Sequence, residues 1–116
     1  MSQQLVLRLL LPLALIGTLC RCSDVDPWPN LGEAAKRGRI VYKTHCTACH
    51  HGDPNFAGLQ GPEIAGSAPE LVAARILRGD YPPGYTPKRT TKLMVPMPYL
   101  RDEVPALAAF LREAQR

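Results

Sequence analysis

The chain has 116 residues, 46% of them apolar and 21% charged, with a formal net charge of +4. That length leaves room for one small domain at most. Without residues 1–22 the chain loses Arg8 and Arg21, and 12 basic against 10 acidic side chains leave +2, too little to argue for a nucleic-acid partner.

The first element is "LLLPLALIGTL" (9–19), an uncharged run preceded by Arg8. It falls short of the roughly 20 residues that span a bilayer and suits the apolar region of an export signal. Residues 1–22 are therefore expected to be a signal peptide, 23–30 a polar, Pro-containing linker and 31–116 the domain proper, placed in the periplasm. Thr18, Cys20 and Cys22 allow cleavage after Cys20 or Cys22. The alternative is a lipid anchor on Cys20 or Cys22, although Leu19 and Arg21 before them depart from a Leu-small-small-Cys pattern.

Three helices follow in the expected domain. The first is predicted over about Leu31 to Thr44, opened by Asn30-x-x-Glu33 as a capping box and carrying Ala34, Ala35, Ile40, Val41 and Tyr42. Gly38 in its middle disfavours the helix by about 1 kcal/mol relative to Ala and suggests close approach by another backbone. The second is predicted over Pro69 to Arg78, with Ser67-x-x-Glu70 as a capping box, Pro69 in the first turn and Gly79 as its terminator. The third is predicted over about Arg101 to Ala114. Asp102 and Glu103 complement its N-terminal dipole, Pro105 must lie in its first turn, and Val104, Leu107, Ala108 and Leu111 recur at helical spacing.

Between the helices run "HGDPNFAGLQGPEIAG" (51–66), with four glycines and two prolines, and residues 80–100, with five prolines and no periodicity. No strand pattern is present. Long irregular loops are uncommon in compact domains unless functional, and with aromatic residues at only 6% they need something apolar to wrap around.

"KTHCTACHHGD" (43–53) holds Cys46, Cys49 and all three histidines, His45, His50 and His51. Cys-x-x-Cys beside a βαβ pattern is a redox dithiol, but no such pattern occurs here. A structural zinc site needs four converging ligands. Adjacent His50 and His51 cannot easily converge on one ion with both cysteines, and no Cys or His follows His51. A plain disulfide remains possible chemically in an oxidising compartment. Cys-x-x-Cys-His is also the covalent haem attachment pattern. Two thiols on one helical turn reach the two vinyl groups on one porphyrin edge, and the following histidine is carried under the iron. His45 and His51 stay on the attachment side and are read as part-exposed bystanders, a role in pH-dependent potential being the sharper alternative.

Taken together, Gly38 and Tyr42, then Cys46 to His50, then "GPEIAG" (61–66), then Met97-Pro98, then Phe110 resemble, in order and spacing, the class I monohaem c-type cytochromes of bacteria over most of residues 32–113. Ile64 replaces the leucine usual in that loop. The resemblance implies an all-α domain of three or more helices and long loops wrapped around one covalent haem c. Cys46 and Cys49 would form the thioethers, and His50 would be the proximal iron ligand. The carbonyl of Pro62 would hold the His50 Nδ1–H, Gly38 would lie where the first and third helices cross, and Tyr42 would pack near Phe110. Of the methionines after the motif, Met97, 47 residues beyond His50, is the expected distal ligand, with Met94 its competitor. Tyr85 and Arg89 lead a set that also includes Arg75, Tyr81, Lys88 and Lys92 as candidates to pair with the haem propionates or to present a basic docking face.

The expected function is one-electron transfer by a non-enzymatic monomer between periplasmic or membrane redox partner proteins, with membrane association through a lipid anchor or a partner complex as a further option. Two alternatives are a haem-bearing subunit of a larger dehydrogenase or oxidase complex, and a haem sensor or catalytic haem protein in which Met97 is displaced.

Overall fold

The computed structural model of the protein describes residues 25–116. The expected signal segment, with Cys20 and Cys22, lies outside the described residues. The elements are α1 (Glu33–His45), α2 (Pro69–Arg78), a 3₁₀ helix (Pro98–Glu103) and α3 (Val104–Glu113). No strand occurs among the described residues, and none of their helices is long and apolar enough to cross a membrane.

α1 and α3 make the principal helix crossing, and glycine decides its closeness. A Cβ on Gly38 would stand 1.9 Å from the Ala106 carbonyl oxygen, so only a hydrogen lets the two backbones meet there. Around this point Ala35, Tyr42 and Phe110 are completely buried. The Tyr42 and Phe110 rings lie 5.4 Å apart, as the resemblance implied. Burying a side chain such as Phe contributes about 1.5–3 kcal/mol, so this crossing is the main source of cohesion within the polypeptide.

The segment before α1 is more than a linker. Trp28 stands edge-on to Phe110 at 5.3 Å, donates its indole N–H to the Ala114 carbonyl at 3.3 Å, and has Arg39 over its ring. Asp26 pairs with Arg39 at 2.8 Å. The guanidinium, with the Trp28 N–H, holds the Asp26 carboxyl below its ordinary value.

Three local expectations are corrected. Neither capping box forms. The N-cap of α1 is Gly32, two residues past Asn30, and Glu113 of α3 accepts its N–H at 2.8 Å while Glu33 pairs with Lys36. The N-cap of α2 is Ala68, because the Ser67 hydroxyl turns back to donate to the Ile64 carbonyl at 2.6 Å. The last helix does not begin as an α-helix at Arg101. Pro105 has no N–H to give the Arg101 carbonyl, and that carbonyl accepts the Val104 N–H instead, the tighter 3₁₀ pattern of residues 98–103. Gly79 ends α2 in the left-handed conformation (φ 73°), as expected.

The 51–66 loop is fastened to the end of α3. Gly66 N–H donates to the Leu111 carbonyl at 2.8 Å, and the Asn55 amide donates to the Ala114 carbonyl at 2.8 Å. These donors satisfy carbonyls that a helix end leaves without internal partners. Pro54 is fully buried beneath the loop, and its carbonyl accepts the N–H groups of Ile64 and Ala65, each at 2.9 Å.

Candidate haem site

Cys46 ends α1 and Cys49 follows in the next turn, where Cys49 and His50 donate their N–H groups to the Cys46 carbonyl at 3.2 and 2.9 Å. The two thiols are not joined as a disulfide. Cys46 is buried and Cys49 exposed, and burial pushes the Cys46 thiol up to about 11. The turn is tied to the helix core by Tyr42, whose hydroxyl donates to the His51 carbonyl at 2.6 Å. Burial raises the Tyr42 phenol well above its ordinary value, so it remains a donor.

His50 Nδ1 lies 2.9 Å from the Pro62 carbonyl oxygen. A carbonyl can only accept, so Nδ1 carries the proton and Nε2 keeps its lone pair. Burial holds the His50 pKa below its usual value; the Pro62 bond opposes that shift and the Arg89 charge adds to it. A neutral imidazole with a free Nε2 is the form that binds a metal.

Glycines bring the 51–66 loop against this turn. A Cβ on Gly61 would lie 2.5 Å from Nδ1 and Cε1 of His50, and one on Gly58 would lie 2.3 Å from the Cys49 carbonyl oxygen. Gln60 N–H and Gly61 N–H both donate to that carbonyl, at 3.3 and 3.0 Å.

Cys46, Cys49 and His50 line a cavity of about 300 Å³, within the usual range of cofactor pockets. Its apolar surface comes from α2 (Leu71, Val72, Ile76) and α3 (Leu107, Leu111), and both Met94 and Met97 reach it. Met97 is fixed by its own N–H, which donates to the Ile76 carbonyl at 2.7 Å. Polar groups gather from the 80–97 loop. Tyr81 and Tyr85 stack at 5.4 Å, with the Arg75 guanidinium 4.3 Å above Tyr81 and hydrogen-bonded to the Gly79 carbonyl. Arg75, Lys88 and Arg89 also line the cavity, whereas Lys92 does not. The residues present fit a large, flat, apolar prosthetic group anchored through two thiols and a histidine. Among the described residues, no three His, Cys, Asp or Glu side chains converge on a metal position, which leaves the zinc reading without a ligand set.

A model of the cytochrome c family matches residues 35–115. The chain belongs to the cytochrome c family. No curated protein and no solved structure matches the chain. As a cytochrome c domain it is a haem-based electron carrier, and the family's covalent haem c requires the thiols that Cys46 and Cys49 supply.

The flanking histidines are exposed. His45 lines the cavity rim with its ring 5.9 Å from Tyr99, and His51 packs edge-on to Phe56 at 5.5 Å. Sequence reading did not find Gln60, whose amide oxygen is 3.3 Å from Cys49 Sγ, nor the buried Pro54. The glycine-rich composition of 51–66 was the available signal for tight packing there, but it did not say against what.

Proposed function

We propose that the protein is an exported, single-haem electron carrier with His50 and Met97 as axial ligands and Cys46 and Cys49 as the thioether anchors. The observation that carries the reading is the Nδ1 of His50 held at 2.9 Å by Pro62 while Met97 lines the same cavity. When bound, the haem supplies an iron that cycles between two oxidation states. The chain's part is to keep His50 neutral and oriented, present a soft sulfur that favours the ferrous state, and exclude water with α2 and α3. Met94 also lines the cavity as a spare sulfur, and Tyr85 would face the propionate side, whereas the Arg89 guanidinium is engaged by the Gln60 and Gly58 carbonyls.

Residues 1–22 direct export to the periplasm, where haem attachment and oxidising partners coexist. With His50 and Met97 both holding the iron, no open position would be left for a substrate, and the protein would act as a carrier between partner proteins. Exposed Leu93 and Val95 beside the cavity, 63% and 74% accessible, support docking of such a partner there. Small, transient contacts of this kind suit electron exchange.

Reduced and oxidised absorption spectra of protein expressed with export test this reading. The expected reduced spectrum has the sharp α band of c-type haem that survives acid-acetone extraction. The ferrous form should bind no carbon monoxide until Met97→Ala opens the sixth position, while Met94→Ala leaves it closed. Carbon monoxide binding by the unaltered protein would sink His/Met ligation and favour a sensor or catalytic role.

A further inference from the structure

The segment that brings Met94 and Met97 to the cavity is fastened at its two ends. Downstream, the Met97 N–H holds the Ile76 carbonyl of α2 at 2.7 Å. Upstream, Lys88 and Arg89 reach to the 51–66 loop. Lys88 Nζ donates to both the carbonyl and the carboxylate of Glu63, each at 3.0 Å. Arg89 donates to the carbonyls of Gln60 at 3.1 Å and Gly58 at 3.4 Å. Arg89 thus grips the chain two residues before Pro62, and Lys88 grips it one residue after.

Between the two anchors, residues 90–96 make no hydrogen bond to any of the described residues. Only Met94 of this stretch packs against the core, while Leu93 and Val95 are largely exposed at the cavity's edge. A strap hydrogen-bonded only at its ends opens more readily when one end is released, because no hydrogen bond in its middle resists. The Lys88–Arg89 end also touches the loop whose carbonyl orients His50.

We infer that Lys88 and Arg89 are positioning residues that latch the methionine-bearing strap to the loop orienting His50, so that release of the latch sets the rate at which the sixth ligand is exchanged. The inference rests on the reading of His50 and Met97 as the iron ligands. The two side chains make charge-assisted bonds, the stronger class of hydrogen bond. Neither lies in the α1–α3 crossing, so their loss should loosen the strap without unfolding the helices.

The test is stopped-flow binding of imidazole to the ferric holoprotein, read at saturating imidazole, where the rate reports opening of the strap. Lys88→Ala with Arg89→Ala is expected to raise that rate about tenfold or more. Lys88→Arg, which keeps charge and donors, should stay near the parent. Arg39→Ala, which removes an ion pair on the Trp28 side, is the stability control and should leave the rate unchanged. A double variant that opens at the parent's rate overturns the latch, and so does an Arg39→Ala variant that opens as fast as the double variant. If the unaltered protein instead binds imidazole at a rate that never saturates, no internal ligand is being displaced; the His/Met reading then fails, and the latch fails with it.

Discussion

The molecule has two unlike halves. At the α1–α3 crossing the polypeptide closes on itself: Gly38 meets the Ala106 backbone, and Tyr42 and Phe110 have no exposed surface. At the crevice, loops rich in proline and glycine enclose about 300 Å³, and the 90–96 strap has no hydrogen bond of its own among the described residues. The first half is stabilised by contacts written into the chain. The second is a mould for a large flat group; hydrogen bonds fasten its 51–66 wall to α3, but not the 90–96 strap opposite. A small domain with few aromatics gains much from a large apolar cofactor in its centre.

The strongest way to break this contrast is to remove the anchors. Cys46→Ala with Cys49→Ala should make the haem extractable by acid acetone and erase amide-exchange protection in 80–97, while α1 and α3 keep part of their helical signal. Retained protection in 80–97 would mean that the loops hold themselves. Phe110→Ala attacks the other half and should lower stability to denaturant by about 3–5 kcal/mol, since that ring touches both Trp28 and Tyr42.

Glycine substitutions sharpen the contrast at smaller scale. Gly38→Ala forces the helix backbones apart at a contact of 1.9 Å, and a loss of about 1–3 kcal/mol is expected in urea. Gly61→Ala places its new carbon 2.5 Å from the His50 ring instead. It should shift the haem spectrum and the reduction potential while lowering global stability by only about 1 kcal/mol.

The smallest effect concerns pH. Burial of Asp53 would raise its pKa, but the backbone N–H and amide of Asn55, followed by the Arg116 charge, outweigh burial and hold it below the ordinary value. A depressed carboxyl stabilises the fold fully above its unfolded value near 3.9 and loses that contribution as pH falls through the folded value. Urea midpoints measured from pH 5 downward should therefore fall less steeply in Asp53→Asn than in the parent.

Much of the site could be read directly. The thiol spacing with its trailing histidine and the Gly-Pro of the next loop are local or nearly local patterns. Gly38 also announced itself, because a glycine inside a helix needs a reason. The capping boxes misled for an equally local cause. The Ser67 hydroxyl turns to the Ile64 carbonyl three residues back and Glu33 pairs with Lys36, while the Gly32 N–H goes to Glu113 of α3.

By itself, then, the sequence determined the all-α class, the attachment chemistry and the approximate helix positions, since each depends on residue types a few positions apart. Only the tertiary structure decided which segments meet: Trp28 against Phe110, Asn55 on the end of α3, and Lys88 and Arg89 on either side of Pro62. Those contacts join residues tens of positions apart through loops without periodicity. A hydrogen bond to a backbone carbonyl leaves no mark on the identity of the residue that accepts it.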